Sequence, residues 1–335
     1  MEYRNVGKSG LKVSEICLGT LTFGKKTDEA ESKRIVDLAF EAGVNFFDTA
    51  DAYSGGLAEE YLGSALKGRR HGAVVASKFF NPMGPGPNDG GNSRLHIMQA
   101  VEASLKRLNM DYLDIYYVHH TDLETPIEET LRAMDDLVSQ GKVRYVACSN
   151  HEAWRLMEAL WISDTKGWNR YICYQPQYNL VVRDIEDSLI PVCQKKGLGV
   201  VAWGALAGGF LLGKHETTKG QTAGTHPTDD WRGLWAPNAD ETLKVLFEVA
   251  KRIKRTPAQV AIRWVLEQPA VSSVIISARN VDQAQDNFRA GGWRLPEDML
   301  EKLNTVSKLS ERYPAITKRF FMNKRKSWIK MPSID

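Results

Sequence analysis

A closed barrel of eight β/α units is the fold class that this chain of 335 residues predicts, and three observations carry it. Short runs rich in β-branched and aromatic residues recur near positions 16, 44, 73, 113, 143, 171, 199 and 273, bounded by turn residues as buried strands are. Their spacing stays close to about thirty residues, the length of one βα unit, apart from wider gaps after 73 and 199. Amphipathic helical patterns fill the intervals. Ile127, Leu131, Met134, Leu137 and Val138, for example, recur at helical spacing with acidic residues in the first turn.

Taken in order, VGKSGLKV precedes the first run and places a glycine-bearing turn between two short extended pieces, a small hairpin that closes one end of the barrel. The wide gap after 73 contains NPMGPGPNDGGN, Asn81 to Asn92, which is hostile to helix and reads as a loop. The second wide gap contains a long irregular segment near Gly204 to Asp240. Both insertions follow strands and therefore belong to the face where the strands end. No linker-like composition divides the chain, so 1–335 reads as a single α/β domain, a (β/α)8 TIM barrel with an N-terminal β-hairpin, long loops at its C-terminal face and a tail from about 313 to 335. A doubly wound open sheet also alternates strand and helix and often carries a glycine fingerprint for a dinucleotide. Here the nearest cluster, GPGPNDGG, is broken by prolines and lacks the third glycine.

Composition narrows the function classes. With 43% hydrophobic and 25% charged residues the chain buries a sizeable core, and a net charge of +3 does not point to nucleic acid or a membrane surface. Cys17, Cys148, Cys173 and Cys193 are widely spaced and form no CxxC pair, which fits reduced thiols in a cytoplasmic protein. MEYRNVGKSG has no apolar core of a signal peptide, and the uncharged stretch Gly197 to Gly213 is interrupted by glycines and shorter than the ~20 residues of a spanning helix. The C-terminal KRFFMNKRKSWIK mixes six cations with Phe320, Phe321 and Trp328, and reads as a solvated or folded-back tail, bound to neither nucleic acid nor membrane.

Four polar residues stand at or just beyond strand ends, in NFFDTADAY, AVVASK and LDIYYVH: Asp48, Tyr53, Lys78 and His119. Alone, each has a structural reading, as a helix cap, a packing ring or a solvated lysine. Together, at the ends of consecutive strands, they occupy the face where this architecture builds its sites. A phenol is a poor acid at neutral pH unless a cation favours its phenolate, and Lys78 supplies one. Asp48 compensates the buried ammonium, His119 orients a carbonyl oxygen, and Tyr53 protonates the developing alkoxide. No metal is needed.

These blocks resemble the aldo-keto reductase family: LGTLTFG at Leu18, GVNFFDTADAYSGG at Gly43, SK at Ser77, DYLDIYYVH at Asp111, GKVRYVACSN at Gly141 and YQPQYNL at Tyr174, in order across nearly the whole chain. The resemblance implies that Asp48, Tyr53, Lys78 and His119 form a catalytic tetrad that reduces an aldehyde or ketone, with NADPH as cofactor. It further implies that Ser149, Asn150 and Gln175 hold the cofactor's carboxamide, that Trp203 stacks on the nicotinamide, and that Gly19 and Thr20 flank the ring. The turn Gly204, Ala205, Leu206, Ala207, Gly208 and Gly209 stands at the phosphate-binding loop, with Gly204 in place of a usual serine. SVIISARNVDQAQDN resembles the adenosine site, with Ile276 in place of a frequent proline. There Ser277 and Arg279 hold a 2′-phosphate, and Gln283 and Asn287 meet the adenine.

His120, where the family more often has tryptophan or another large residue, invites a metal site with His119. Adjacent strand residues point to opposite faces, however, so His120 is expected to shape the pocket instead, beside Tyr53, Phe79, Phe80, Trp231 and Trp235. Such aromatic walls favour cyclic, hydrophobic or sugar-linked carbonyl compounds. A second function fits the same resemblance: a cofactor-sensing subunit like the regulatory β subunits of potassium channels. A metal-dependent barrel hydrolase fits less well, for want of inward ligands.

Overall fold

A computed structural model describes residues 1–213, 237–311 and 313–328. A hairpin, β1 (Tyr3–Asn5) and β2 (Lys12–Ser14), comes first. Then strand and helix alternate: β3 (Ile16–Gly19), α1 (Glu29–Glu41), β4 (Phe46–Asp48), α2 (Leu57–Ala65), β5 (Val74–Phe79), α3 (Arg94–Leu108), β6 (Leu113–Val118), α4 (Ile127–Ser139), β7 (Val143–Ser149), α5 (Ala153–Lys166), β8 (Tyr171–Gln175), α6 (Leu189–Lys196) and β9 (Gly199–Ala202). Two helices, α7 (Ala239–Arg252) and α8 (Pro257–Leu266), precede β10 (Val271–Ile276) and α9 (Val281–Phe288). Outside this repeat lie α10 (Glu297–Val306) and α11 (Ala315–Trp328).

Strands β3 to β10 pair in parallel with their sequence neighbours, and β10 closes the ring on β3 with Val274 opposite Ile16 and Ile276 opposite Leu18. The fold is therefore the (β/α)8 TIM barrel that the spacing predicts, with the hairpin at its N-terminal end. Helix α4 follows its periodicity closely. Ile127, Leu131, Met134 and Leu137 are buried, with Glu128 and Glu129 in the first turn. Polar caps fix other helix starts: Asp28, Ser93, Thr256 and Asn280 each accept a hydrogen bond from a first-turn N–H of α1, α3, α8 and α9.

Strand alternation sorts the apolar residues into two layers. Outward residues pack under the helices. Inward ones, Cys17, Phe46, Ala76, Ile115, Tyr117, Ala147, Cys173 and Val201, fill the barrel, and Val6 and Val13 of the hairpin plug it from below. The buried carboxylate of Glu15 ties that floor together, accepting from Arg4 at 2.8 Å, from Arg263 at 3.0 Å and from the Gly292 N–H at 2.7 Å.

Candidate active site

Two residues beyond the interior layer, the inward side of each pleat comes round again at the rim. Cys17 is followed by Gly19, Phe46 by Asp48, Ala76 by Lys78, Tyr117 by His119, Ala147 by Ser149, Cys173 by Gln175, Val201 by Trp203, and Ile275 by Ser277. The apolar filling thus gives way, one step up every strand, to a ring that is almost wholly polar. Each of those eight positions carries a site expectation from the sequence.

At the centre is Lys78, fully buried. Its ammonium is ion-paired with Asp48 Oδ1, donates to the Thr49 carbonyl at 2.7 Å and donates to the Tyr53 hydroxyl oxygen at 3.3 Å. Three N–H bonds meet three acceptors. Because the phenol oxygen accepts from Lys78, its own proton is left to be given elsewhere. The other oxygen of Asp48 accepts from Gln175 Nε2 at 2.8 Å, so both carboxylate oxygens are engaged. Burial alone would lower the Lys78 ammonium, yet Asp48 and Tyr53 hold it above its ordinary value. Burial pushes the Tyr53 phenol up; Lys78 pulls it down as expected from the sequence, but does not outweigh burial and the nearby Asp48. The resting site thus stores Tyr53 in its protonated form.

His119 faces Tyr53, with ring centroids 6.0 Å apart at 70°. Burial, then Lys78, then His120 push its imidazole down to about 2, so the ring is neutral. Its Nδ1 lies 3.4 Å from the Asn81 amide nitrogen, a long contact to a donor, which assigns the ring proton to Nε2. A neutral Nε2–H is a donor for a carbonyl oxygen that cannot itself protonate it.

Around this core the structure alters two expectations. Phe79 is not a pocket wall: it follows the inward Lys78 on the same strand, so it points outward and its buried ring packs on Tyr116 at 4.9 Å. Phe80, expected beside it, lies just past the strand end with its ring edge-on to His120 at 5.2 Å. His120 does not turn away from His119. Strand β6 stops at Val118, alternation lapses, and the two imidazoles stack at 4.6 Å and 17°. Trp231 and Trp235 lie outside the described residues.

The remaining residues form a continuous polar rim. Ser149 donates to the Gln175 carbonyl at 2.6 Å. Asn150, with φ of 55°, donates to the His119 carbonyl at 3.0 Å and accepts from the Trp203 indole at 3.3 Å. Thr20 is tied to β4 through its N–H and hydroxyl, both donating to the Asp48 carbonyl. Gly19 is required by closeness: a Cβ there would lie 2.6 Å from Ile275. Past Trp203 the backbone turns through positive φ at Gly204, Ala207, Gly208 and Gly209, with Ala205 and Leu206 between. At the end of β10, Asn287 reaches the Ser277 carbonyl at 3.5 Å and Gln283 accepts from the Arg279 N–H at 3.1 Å.

Sequence reading missed two contributors here. Thr22 donates to the Ala278 carbonyl at 2.7 Å, and burial, then the neighbouring Arg279 and Lys25, lower the Lys26 ammonium. Lys25, Lys26 and Arg279 make a cationic cluster assembled from opposite ends of the sequence by the β10–β3 closure.

The profile of the Aldo/keto reductase family matches residues 15–308. A probable voltage-gated potassium channel subunit beta from Arabidopsis thaliana is 39% identical over 299 residues, 87% of this chain and 91% of that protein. The uncharacterized oxidoreductase YrpG of Bacillus subtilis is 36% identical over 318 residues, 91% of this chain and 96% of its own length. A putative voltage-gated potassium channel subunit beta from Schizosaccharomyces pombe is 33% identical over 318 residues, 91% of this chain and 92% of its own length.

Proposed function

The chain belongs to the aldo/keto reductase family of oxidoreductases, and from that premise we propose that it reduces an aldehyde or ketone to the alcohol with NADPH, using Tyr53 as general acid. One observation supports this most: the Lys78 ammonium donates to the Tyr53 oxygen, leaving the phenol proton as the one to be given away. Bound at the rim, the nicotinamide supplies the hydride that the carbonyl carbon accepts.

The chain's own residues do the rest. His119 donates Nε2–H to the carbonyl oxygen and fixes its place. Tyr53 transfers its proton to that oxygen as negative charge gathers there, a step worth roughly 10²- to 10⁴-fold. Lys78 then stabilises the phenolate left behind, and Asp48, itself anchored by Gln175, keeps Lys78 in position. Phe80 and His120 form an aromatic wall beside the reacting carbon, suited to cyclic or sugar-linked carbonyls.

The residues fit the cofactor. Ser149, Asn150 and Gln175 offer amide and hydroxyl groups to a carboxamide, Trp203 offers a flat face, and Gly19 and Thr20 leave room beside the ring. The turned backbone from Gly204 to Gly209 presents N–H groups to a pyrophosphate. Ser277 and Arg279, joined by Lys26, match the charge of a 2′-phosphate, and Gln283 and Asn287 border the adenine. No metal takes part in this scheme.

A second reading follows from two relatives named as potassium channel β subunits: a cofactor-sensing regulatory barrel. Turnover separates the two. Oxidation of NADPH and NADH is followed against aldehydes, ketones and sugars with wild type and Arg279→Ala. A reductase preferring NADPH turns over part of the panel and loses the preference in the variant. Cofactor binding without turnover favours the regulatory reading.

A further inference from the structure

Behind the rim, between β5 and helices α2 and α3, lies a second buried acidic cluster that the scheme above leaves unused. Asp51 and Glu59 are both fully buried there. Glu59 is well provided for: Oε1 accepts from the Ser77 hydroxyl at 2.5 Å and Oε2 from Arg107 Nε at 2.7 Å. Asp51 is not. Its Oδ1 accepts the Ala52 N–H at 2.6 Å, but among the described residues Oδ2 has no hydrogen-bond partner, and neither does the buried hydroxyl of Tyr116.

Two buried carboxyls therefore share one arginine, and that arginine is engaged by Glu59. An unpaired carboxylate in such a site costs several kcal/mol, which a bound proton removes. Asp51 also belongs to the segment that carries the catalytic phenol. Its N–H donates to the Lys78 carbonyl at 3.2 Å, and the Tyr53 N–H donates to Ala50 at 3.2 Å, so the turn from Asp48 to Tyr53 is pinned to β5 at the residue that holds the tetrad together.

We propose that Asp51 is a positioning residue of the reductase site: it carries a proton in the resting protein and, on losing it, sets a negative charge behind Lys78 and Tyr53 that keeps the phenol protonated. The inference rests on the reductase reading. The charged and titratable groups acting on Asp51 are Glu59 from α2, Arg107 from α3 and Lys78 from β5; its own charge acts on Tyr116 from β6 and on Tyr53, which also feels Asp48 from β4. Burial first, then Glu59, raise the Asp51 carboxyl to about 7, against the pull of the Ala52 N–H, Arg107 and Lys78. Its proton is therefore exchanged near neutrality, and the charge so formed acts to raise the Tyr53 phenol. In the direction of carbonyl reduction, ionised Asp51 extends activity toward alkaline pH.

The test has one arm that needs no turnover. Infrared spectra of wild type are expected to show the C=O band of a protonated buried carboxyl at about pH 6 that fades by about pH 8, and Asp51→Asn to lack it. Glu59→Gln removes the neighbouring negative charge and is expected to move the fading to lower pH, which keeps a reading available should Asp51→Asn fold poorly. Stability has a sign as well. The folded carboxyl holds its proton more tightly than the unfolded one, so its contribution is present at acid pH and is lost as pH rises toward about 7. Asp51→Asn should gain melting temperature on wild type as pH rises. With turnover, the alkaline limb of kcat in Asp51→Asn should shift down by roughly half a pH unit, with KM unchanged. Absence of the band in wild type, a band indifferent to Asp51→Asn or Glu59→Gln, or superimposable kcat profiles would overturn the proposal. Wild type inert toward every carbonyl would sink the reductase reading alone, since the infrared arm reads the Asp51 proton regardless.

Discussion

The two ends of the barrel bury charge in opposite ways. At the floor, Glu15 is clamped by Arg4 and Arg263, and Arg263 also reaches Glu267 at 2.9 Å. The cations there are arginines, whose guanidinium groups are not proton donors near neutral pH. At the rim, the buried cation is a lysine, and one of its three acceptors is a phenol with a proton to give. Both clusters offset the cost of desolvation with ion pairs and hydrogen bonds. Only at the rim does the buried cation hold a group with a proton to give, which is what the proposed proton transfer needs and a structural clamp does not.

Breaking each end should therefore fail differently. Lys78→Met is expected to reduce kcat by at least about 10²-fold while cofactor still binds, as measured by steady-state kinetics and fluorescence titration. Glu15→Gln, which takes the shared carboxylate away from two guanidinium groups and leaves them Glu2 at 3.5 Å and Glu267 at 2.9 Å, should cost up to about 3–5 kcal/mol in denaturant unfolding while the folded fraction keeps its kcat. A rim variant that only destabilised, or a floor variant that only slowed turnover, would contradict the division.

Smaller effects sharpen it. Removing Arg279 should raise KM for NADPH by roughly 10- to 100-fold and leave KM for NADH in place, the scale of charge-assisted hydrogen bonds to one phosphate. His119 is neutral when folded and more basic when unfolded, so it favours the folded state above its ordinary pKa and loses that as pH falls. His119→Gln should accordingly flatten the acid side of the stability curve, by about 2 kcal/mol at about pH 5. Least of all, Thr256→Ala at the start of α8, remote from both clusters, should cost about 1 kcal/mol and leave kinetics untouched.

Much of this was legible in the sequence because a barrel repeats itself. Strand spacing predicted the ring, and strand-end placement with the family motifs predicted the rim: the residue two places beyond the last interior apolar side chain of each strand carries a site expectation, from Gly19 round to Ser277. Where the repeat ends, so does legibility. Phe79 was misplaced for want of the parity rule that Lys78 already imposed. His120 escaped that same rule because its strand stops at Val118. Lys26 and Arg279, and likewise Asp51, Glu59 and Arg107, meet only through barrel closure and helix packing, which no local pattern in the chain encodes.

Single-turnover reduction of a carbonyl substrate by bound NADPH, compared between wild type and Tyr53→Phe, tests the central claim most directly. The expected result is unchanged cofactor affinity with NADPH oxidation slowed roughly 10²- to 10⁴-fold. Oxidation at the wild-type rate in Tyr53→Phe would contradict it, because the proton would then come from another group.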